Sequence, residues 1–329
     1  VNILHLSNTP LSNAPANLAQ IQRESGHTAT VLHHRDRNTN KVFVGGHCWP
    51  NMEREEIEAL FTQTDLIHFH NFAFEQFIFR PEYNGTFGSH LEEIARQKPC
   101  LIQYHSPRHS TENFETTIQD PHFKGRRAVV AQYQVRLYPE AEFVVPNAVP
   151  INDVRFSPMP ARWPAVGALT VSYAPSNTHL RGWDDKGAEK IFPILQHWRH
   201  SGRLSADIIT NTPFEECLTR KRWAHIGVEE LVTGSYHLSL LEYMSMGVAT
   251  IGNIDRLCRE AIARVAGEAA ADTLPHIQAT ADTLPEVLGQ LAQDASLTKA
   301  FGENCRAWME KYWNQPFIAD YFNKIYRVL

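Results

Sequence analysis

Twice along this 329-residue chain, short apolar runs alternate with stretches of helical character, and a segment holding four prolines separates the two series. In the first, "VNILHLSN", "HTATVLHH", "DLIHFHN", "PCLIQYHS" and "EFVVPN" read as strands. Helices are expected between them at "APANLAQIQRESG", "EREEIEALFTQT", "HLEEIARQK" and "AVVAQYQVRLYPEA". After residues 148–167 the rhythm restarts with strands at "ALTVSYAPS" and "SADIITN" and helices at "KGAEKIFPILQHWRHSG" and "PFEECLTRKRWA". A short strand in "IGVEELVTG", the junction "TGSYHLSLLEYMSMGVATIG", a helix near 284–293 and a helical tail from about 296 complete the series. Such β-α-β alternation predicts parallel, doubly wound sheets. The proline-rich segment suits an extended linker. The expectation is an α/β protein of two Rossmann-like domains, 1–155 and 156–314, facing across a cleft.

Composition narrows the function classes. With 43% apolar and 20% charged residues the chain is globular. Net charge is −5; residues 1–155 carry 14 Lys/Arg against 17 Asp/Glu, and the remainder 17 against 19. That balance gives no general nucleic-acid surface. Lys124, Arg126 and Arg127 can meet a phosphate or lipid headgroup, but a solvated surface is the plainer reading of the trio. No run of 18 apolar residues occurs, and the N-terminus reads as a strand rather than a signal peptide. Five scattered cysteines without a C-x-x-C pair fit a reducing cytosol and no zinc site.

In doubly wound sheets ligands bind beyond the carboxyl ends of the strands. The residues to weigh are therefore Ser7–Asn13, His70–Phe72, His105–Arg108, Ala174–Lys186 and Thr233–Ser239. Arg181 and Lys186 precede a helix N-terminus, which favours anions such as a diphosphate; a solvated loop with Asp184 and Asp185 is the plainer reading. At the second junction Gly234 permits close approach, Ser235 or Ser239 can cap the helix, and the amides of Tyr236–Ser239 can meet phosphate or sugar oxygens. Glu242 lies one turn in, among Leu240, Leu241, Met244 and Met246. Its carboxylate can accept from a vicinal diol such as that of a ribose, or pair internally with an arginine or a backbone amide. His68 and His70 share one strand face but lack a third ligand at a recognised metal spacing. His105 ends a strand before a Ser-Pro turn, where it projects into the cleft or serves as a satisfied core histidine. G-x-S-x-G, Walker and G-x-G-x-x-G motifs are absent.

Together these segments resemble the GT-B glycosyltransferases, most closely glycosyltransferase family 4 and its relatives. "GHTATVL", "DLIHFHN", "YHSPR", "VVPNAVPINDVRFSP", "RGWDDKG" and "LLEYMSMGVATIG" follow the family's motifs in order across nearly the whole chain. The resemblance implies transfer of a sugar from a nucleotide-diphospho-sugar, carrying UDP or GDP, to a glycan, lipid-linked or other acceptor. It implies retention of configuration, no metal and no cofactor. The protein would act in polysaccharide biosynthesis in the cytoplasm, with peripheral contact at the inner face of a membrane allowed. Arg181 and Lys186 would neutralise the diphosphate, Glu242 would hold the ribose diol, and Asn177 with Gly234, Ser235, Tyr236, His237, Leu238 and Ser239 would line the donor. His105 would orient the sugar, and Asn8, Ser12, Asn13 and His70 would meet the acceptor.

Residues 315–329 would form a helix returning to the first domain, packed through Trp313, Phe317, Tyr321 and Tyr326. Two features depart from the family. Gly234 stands where its first motif glutamate is expected, leaving Glu229 or Glu230 to reach in instead. "SNTPLSNAP" replaces its glycine-rich loop. A sugar-nucleotide epimerase of GT-B shape and a degenerate nucleotide- or glycan-binding homologue are the alternatives.

Overall fold

In the computed structural model, which describes residues 1–34, 45–106, 123–163, 168–175, 187–200, 202 and 204–329, both series of apolar runs become parallel sheets. The chain divides into two units: 1–148 with 316–329, and 149–315.

The first unit holds β1 (Asn2–Ser7), α1 (Ala14–Glu24), β2 (Thr28–His33), β3 (His47–Cys48), α2 (Arg54–Gln63), β4 (Leu66–His70), α3 (Pro81–Arg96), β5 (Cys100–Tyr104), β6 (Arg126–Val130) and β7 (Phe143–Val145). Its sheet runs β3-β2-β1-β4-β5-β6-β7, so the strand order reverses between β1 and β4. β4 and β5 are buried at every position, as expected of strands covered on both faces. "AVVAQ" is not helical: Ala128–Val130 close β6, and only a 3-10 turn follows, at Tyr133–Arg136. A short apolar run buried on both faces has no period to separate strand from helix. Arg126 pairs with Glu142 and lies over Phe143, so the structure spends one member of the basic trio on its own surface.

The second unit holds β8 (Leu169–Tyr173), α4 (Ala188–His200), β9 (Leu204–Ile208), α5 (Phe214–Trp223), β10 (Ile226–Val228), α6 (Leu238–Ser245), β11 (Ala249–Gly252), α7 (Arg256–Ala266), α8 (Glu268–Asp272), β12 (Ile277–Gln278), α9 (Leu284–Gln293) and α10 (Ala295–Tyr312). Its sheet order is β12-β11-β10-β8-β9, reversing between β8 and β10. The helix α7 was not expected from the sequence, yet its signals are plain. Asp255 caps it through Cys258 N, and Gly267, at φ 88°, ends it. The described part of the proline-rich segment, from Val149 to Trp163, packs into this unit rather than running free. Phe156 is buried, and the buried Arg162 donates to the carbonyls of Met246, at 2.9 Å, and Gly247.

The last helix, α11 (Gln315–Tyr326), belongs to the first unit from Pro316 onward. Tyr321 donates to Val144 O at 2.7 Å, and Tyr326 reaches His68 and Gln22. Trp313 does not join them. It is wholly buried against Trp308 in the second unit.

Candidate functional site

Each sheet carries a polar cluster at its switch point, and the two differ in kind. In the first unit the loop after β1 holds Leu11, Ser12 and Asn13 at φ 49°, 54° and 71°. Such left-handed conformations suit glycine and cost other residues roughly 1–2 kcal/mol each. The backbone thus adopts there what glycines adopt freely, while keeping side chains. Ser12 is exposed. Asn13 is buried and turned inward, donating to Asn17 Oδ1 at 3.1 Å, and Asn8 Oδ1 is buried without a hydrogen bond.

Behind that loop lies a histidine network. β1 and β4 pair His5 with His68 in register, and β5 places Gln103 beside His70. His5, His68 and His70 are all fully buried. His5 Nδ1 lies 3.0 Å from His70 Nε2, and His70 Nδ1 lies 2.9 Å from His105 Nε2. His5 Nε2 meets Gln22 Oε1 at 2.7 Å, Gln22 Nε2 donates to the Tyr326 hydroxyl at 2.7 Å, and that hydroxyl lies 2.8 Å from His68 Nδ1. Burial holds all four rings neutral. It lowers His5 to about 4 and His105 to about 3, and lowers His68 and His70 well below the ordinary value, with mutual repulsion adding to the effect on those two. Asn71, at φ 71°, fixes the end of β5 by accepting from the amides of His105 and Ser106. His70, expected at the acceptor, has both ring nitrogens taken by other histidines. In this arrangement its ring supports His105.

His5, His68 and His70 bring three ring nitrogens within 4.8 Å of one another. As placed, these nitrogens are engaged with one another and with Tyr326. His5 and His70 have ring centres 5.2 Å apart, ring planes 25° apart and nearest nitrogens 3.0 Å apart. The lone pair of one nitrogen is directed at the proton of the other. Zinc needs lone pairs converging on one point about 2.0–2.1 Å away. His68 lies stacked on His70, at 4.4 Å and 16°, so its in-plane lone pairs run alongside.

The second unit's cluster is built from charges. Glu229 and Glu230 follow β10. Glu230 accepts from the amides of Val232, Thr233 and Ser235, at 3.0, 2.7 and 2.9 Å, and so shapes the loop into α6. Burial, with Glu229 adjacent, raises its pKa. Glu229 accepts from His237 Nδ1 at 2.9 Å. Both carboxylates suggested as substitutes for the missing motif glutamate are thus held within the protein. Gly234 has φ 75°, and a Cβ there would lie 2.7 Å from Asp255 Oδ2. A side chain at 234 would be strained by the positive φ and would crowd Asp255, whose carboxylate lies next to that spot and whose amide donates to Gly234 O at 2.9 Å. The sequence signal for Asp255 is its place as the cap of the helix that follows β11.

Neither Ser235 nor Ser239 caps α6. His237 holds the N-cap position but its side chain makes no capping bond, and Ser235 Oγ donates to Tyr236 O. The amides of Leu238 and Ser239 take no partner among the described residues. Tyr236 is buried, and Leu238 nearly so. The far end of α6 is anchored by cations: Arg162 on Met246 O and Gly247 O, and Arg306 on Ser245 O at 2.8 Å. Such charges also complement the negative helix end.

Glu242 pairs with Lys221 of α5, Oε2 to Nζ at 2.5 Å, and both side chains are about 95% buried, at 5% and 4% exposure. Lys221 also donates to Ser239 Oγ at 2.8 Å. Burial disfavours the ammonium, but the carboxylate of Glu242 outweighs it and the Lys221 pKa is raised. Internal pairing, one of the two roles open to Glu242, is therefore filled by a lysine. It involves one oxygen only, and Oε1 takes no bond from a described residue. Lys221 was hidden in the basic run "RKR" of a surface-like helix. Asn177, Arg181 and Lys186 lie outside the described residues, as do residues 107 and 108.

No protein-family model matches the chain, and no curated protein sequence does. Solved structures do. An alpha-glucosyltransferase in complex with UDP-glucose and DNA containing an abasic site superposes with a TM-score of 0.66, at 11% identity, over 99% of this chain and 98% of its own. Anabaena HepE in complex with UDP-glucose gives 0.60, at 12% identity, over 100% of both chains. The sucrose-phosphate synthase of Thermosynechococcus elongatus gives 0.58, at 13% identity, over 99% and 98%. The fold is GT-B. At this identity the likeness carries the architecture, and the reaction has to be argued from the site.

Proposed function

We propose that this GT-B chain is a glycosyltransferase that moves a sugar, with retention and without a metal, from a nucleotide-diphospho-sugar to a carbohydrate or lipid-linked acceptor. The observation that carries the reading is the junction before α6, inside a fold shared end to end with glycosyltransferases, two of them solved with UDP-glucose. There a loop held by Glu230 leads to a helix whose first amides, those of Leu238 and Ser239, take no partner among the described residues, with a carboxylate one turn in. Amides at a helix start suit phosphate oxygens. Glu242 Oε1 can accept from a ribose diol while Lys221 holds Oε2 and fixes the side chain. Arg181 and Lys186 would neutralise the leaving diphosphate, so that most of the rate comes from stabilising charge. In the first unit, His105 would accept from a sugar hydroxyl, with Asn8 and Ser12 toward the acceptor.

Incubation with a panel of UDP- and GDP-sugars, with and without glycan and lipid-linked acceptors, tests this. Nucleotide release that requires an acceptor supports transfer. Isomerised donor without release marks an epimerase. Binding without turnover marks a non-catalytic homologue, the reading that Gly234 in the motif position favours.

A further inference from the structure

We propose that Tyr326, on the returning helix α11, fixes which nitrogen of His105 carries the proton, through Gln22, His5 and His70. The inference deepens the reading of His105 as a substrate-facing residue and rests on it for its functional meaning.

Read from the Gln22 amide, whose Nε2 faces Tyr326 and whose Oε1 faces His5, the hydrogen-bond chain runs in one direction. Neutral imidazole has one N–H and one lone pair, so each ring passes a direction along. Gln22 gives its amide hydrogen to Tyr326 and its carbonyl to His5. His5 must then carry its proton on Nε2 and accept at Nδ1. His70 supplies that bond from Nε2 and accepts at Nδ1. His105 supplies the next from Nε2. Its Nδ1 is left as a bare lone pair, without a partner among the described residues, at the carboxyl end of β5. The other side agrees. Tyr326, having accepted from Gln22, donates to His68 Nδ1, which puts the proton of His68 on Nε2. Gln103 stands close enough to favour that proton, though the two fall short of a hydrogen bond. All four histidines therefore share one tautomer, and His105 presents an acceptor rather than a donor.

Tyr326 is what lets the Gln22 amide hold this orientation. Its hydroxyl is the only acceptor that Gln22 Nε2 has among the described residues. With Tyr326→Phe the amide gains by turning over, because a buried N–H without a partner is rarer and costlier than a carbonyl without one. The turned amide donates to His5 Nε2, and every proton downstream changes sides. His105 then presents N–H. Tyr326 and Gln22 are positioning residues; neither touches a ligand in this account.

The test is a long-range ¹H–¹⁵N correlation of the ring nitrogens in the full-length, ¹⁵N-labelled protein at neutral pH, without ligand. Protonated and bare ring nitrogens have well-separated ¹⁵N shifts. The expected wild-type result is Nε2–H at His5, His68, His70 and His105. In Tyr326→Phe, His5, His70 and His105 should all read Nδ1–H. A wild-type His105 with Nδ1–H, or with both nitrogens protonated, overturns the proposal, and so does a Tyr326→Phe protein whose His105 is unchanged. If the variant does not fold, the wild-type spectrum still decides whether the chain has the stated direction. Because no substrate is present, a failure here is distinct from a failure of glycosyl transfer, which the donor and acceptor panel reads separately.

Discussion

The two polar clusters solve the same problem, burying polar groups at the end of a parallel sheet, by opposite means. The first unit uses neutral rings that hand one proton direction along a line. The second uses formal charges, Glu242 against Lys221 and Glu230 against three backbone amides. A neutral network is cheap to bury but fixes only the orientation of protons. Buried charges cost desolvation and become strong only when each is matched. The difference suits the tasks proposed for them: one would place a hydrogen-bond acceptor, the other would prepare for a substrate that brings its own negative charge.

The comparison breaks most sharply at Lys221. Lys221→Met leaves the Glu242 carboxylate buried without its cation, and removing one partner of a buried pair costs about 3–5 kcal/mol. Chemical denaturation should show that loss, and a loss under 1 kcal/mol would mean the pair is solvated. Lys186→Ala should act on the reaction instead. Turnover should fall roughly 10²–10³-fold, as when one preorganised donor to a developing anion is removed, with the denaturation midpoint unchanged. Activity within a few-fold of wild type would remove Lys186 from the diphosphate.

Acid should find the first unit. In the unfolded chain these histidines titrate near 6.5; folded, His5 does so at about 4 and His105 at about 3. The unfolded state therefore binds more protons between those values. Stability is fully present above about 6.5 and is lost as pH falls toward 4 and 3, by about 1.4 kcal/mol per pH unit for each histidine held neutral. Denaturation midpoints from pH 7.5 to 4.5 check this, and a flat profile would mean the rings are not held neutral.

The architecture was legible because a parallel sheet writes itself as apolar runs such as "DLIHFH" and "PCLIQY", and α6 was legible because "LSLLEYMSMG" is apolar around one acid. What was not legible depended on partners distant in sequence. Lys221 lies 21 residues from Glu242, and Tyr326 lies 304 from Gln22. No periodicity reports that a lysine in a basic run turns inward, or that a tail tyrosine completes a histidine chain. Gly234 was legible as a departure from the motif. Its reason, the carboxylate of Asp255 above it, was not, since that contact is made in space by the next loop.

The central claim, that α6 and Glu242 hold the ribose of a nucleotide donor, is tested most directly by calorimetric binding of UDP and GDP against their 2′,3′-dideoxy analogues. Each hydrogen bond to a charged group contributes about 1.5–3 kcal/mol. The wild-type protein should bind one ribonucleotide at least about 10-fold more tightly than its dideoxy form, and Glu242→Gln should lose that preference. Equal affinity of the wild-type protein for both forms, or no binding of either nucleotide, would contradict the account and leave Glu242 as a core charge paired with Lys221.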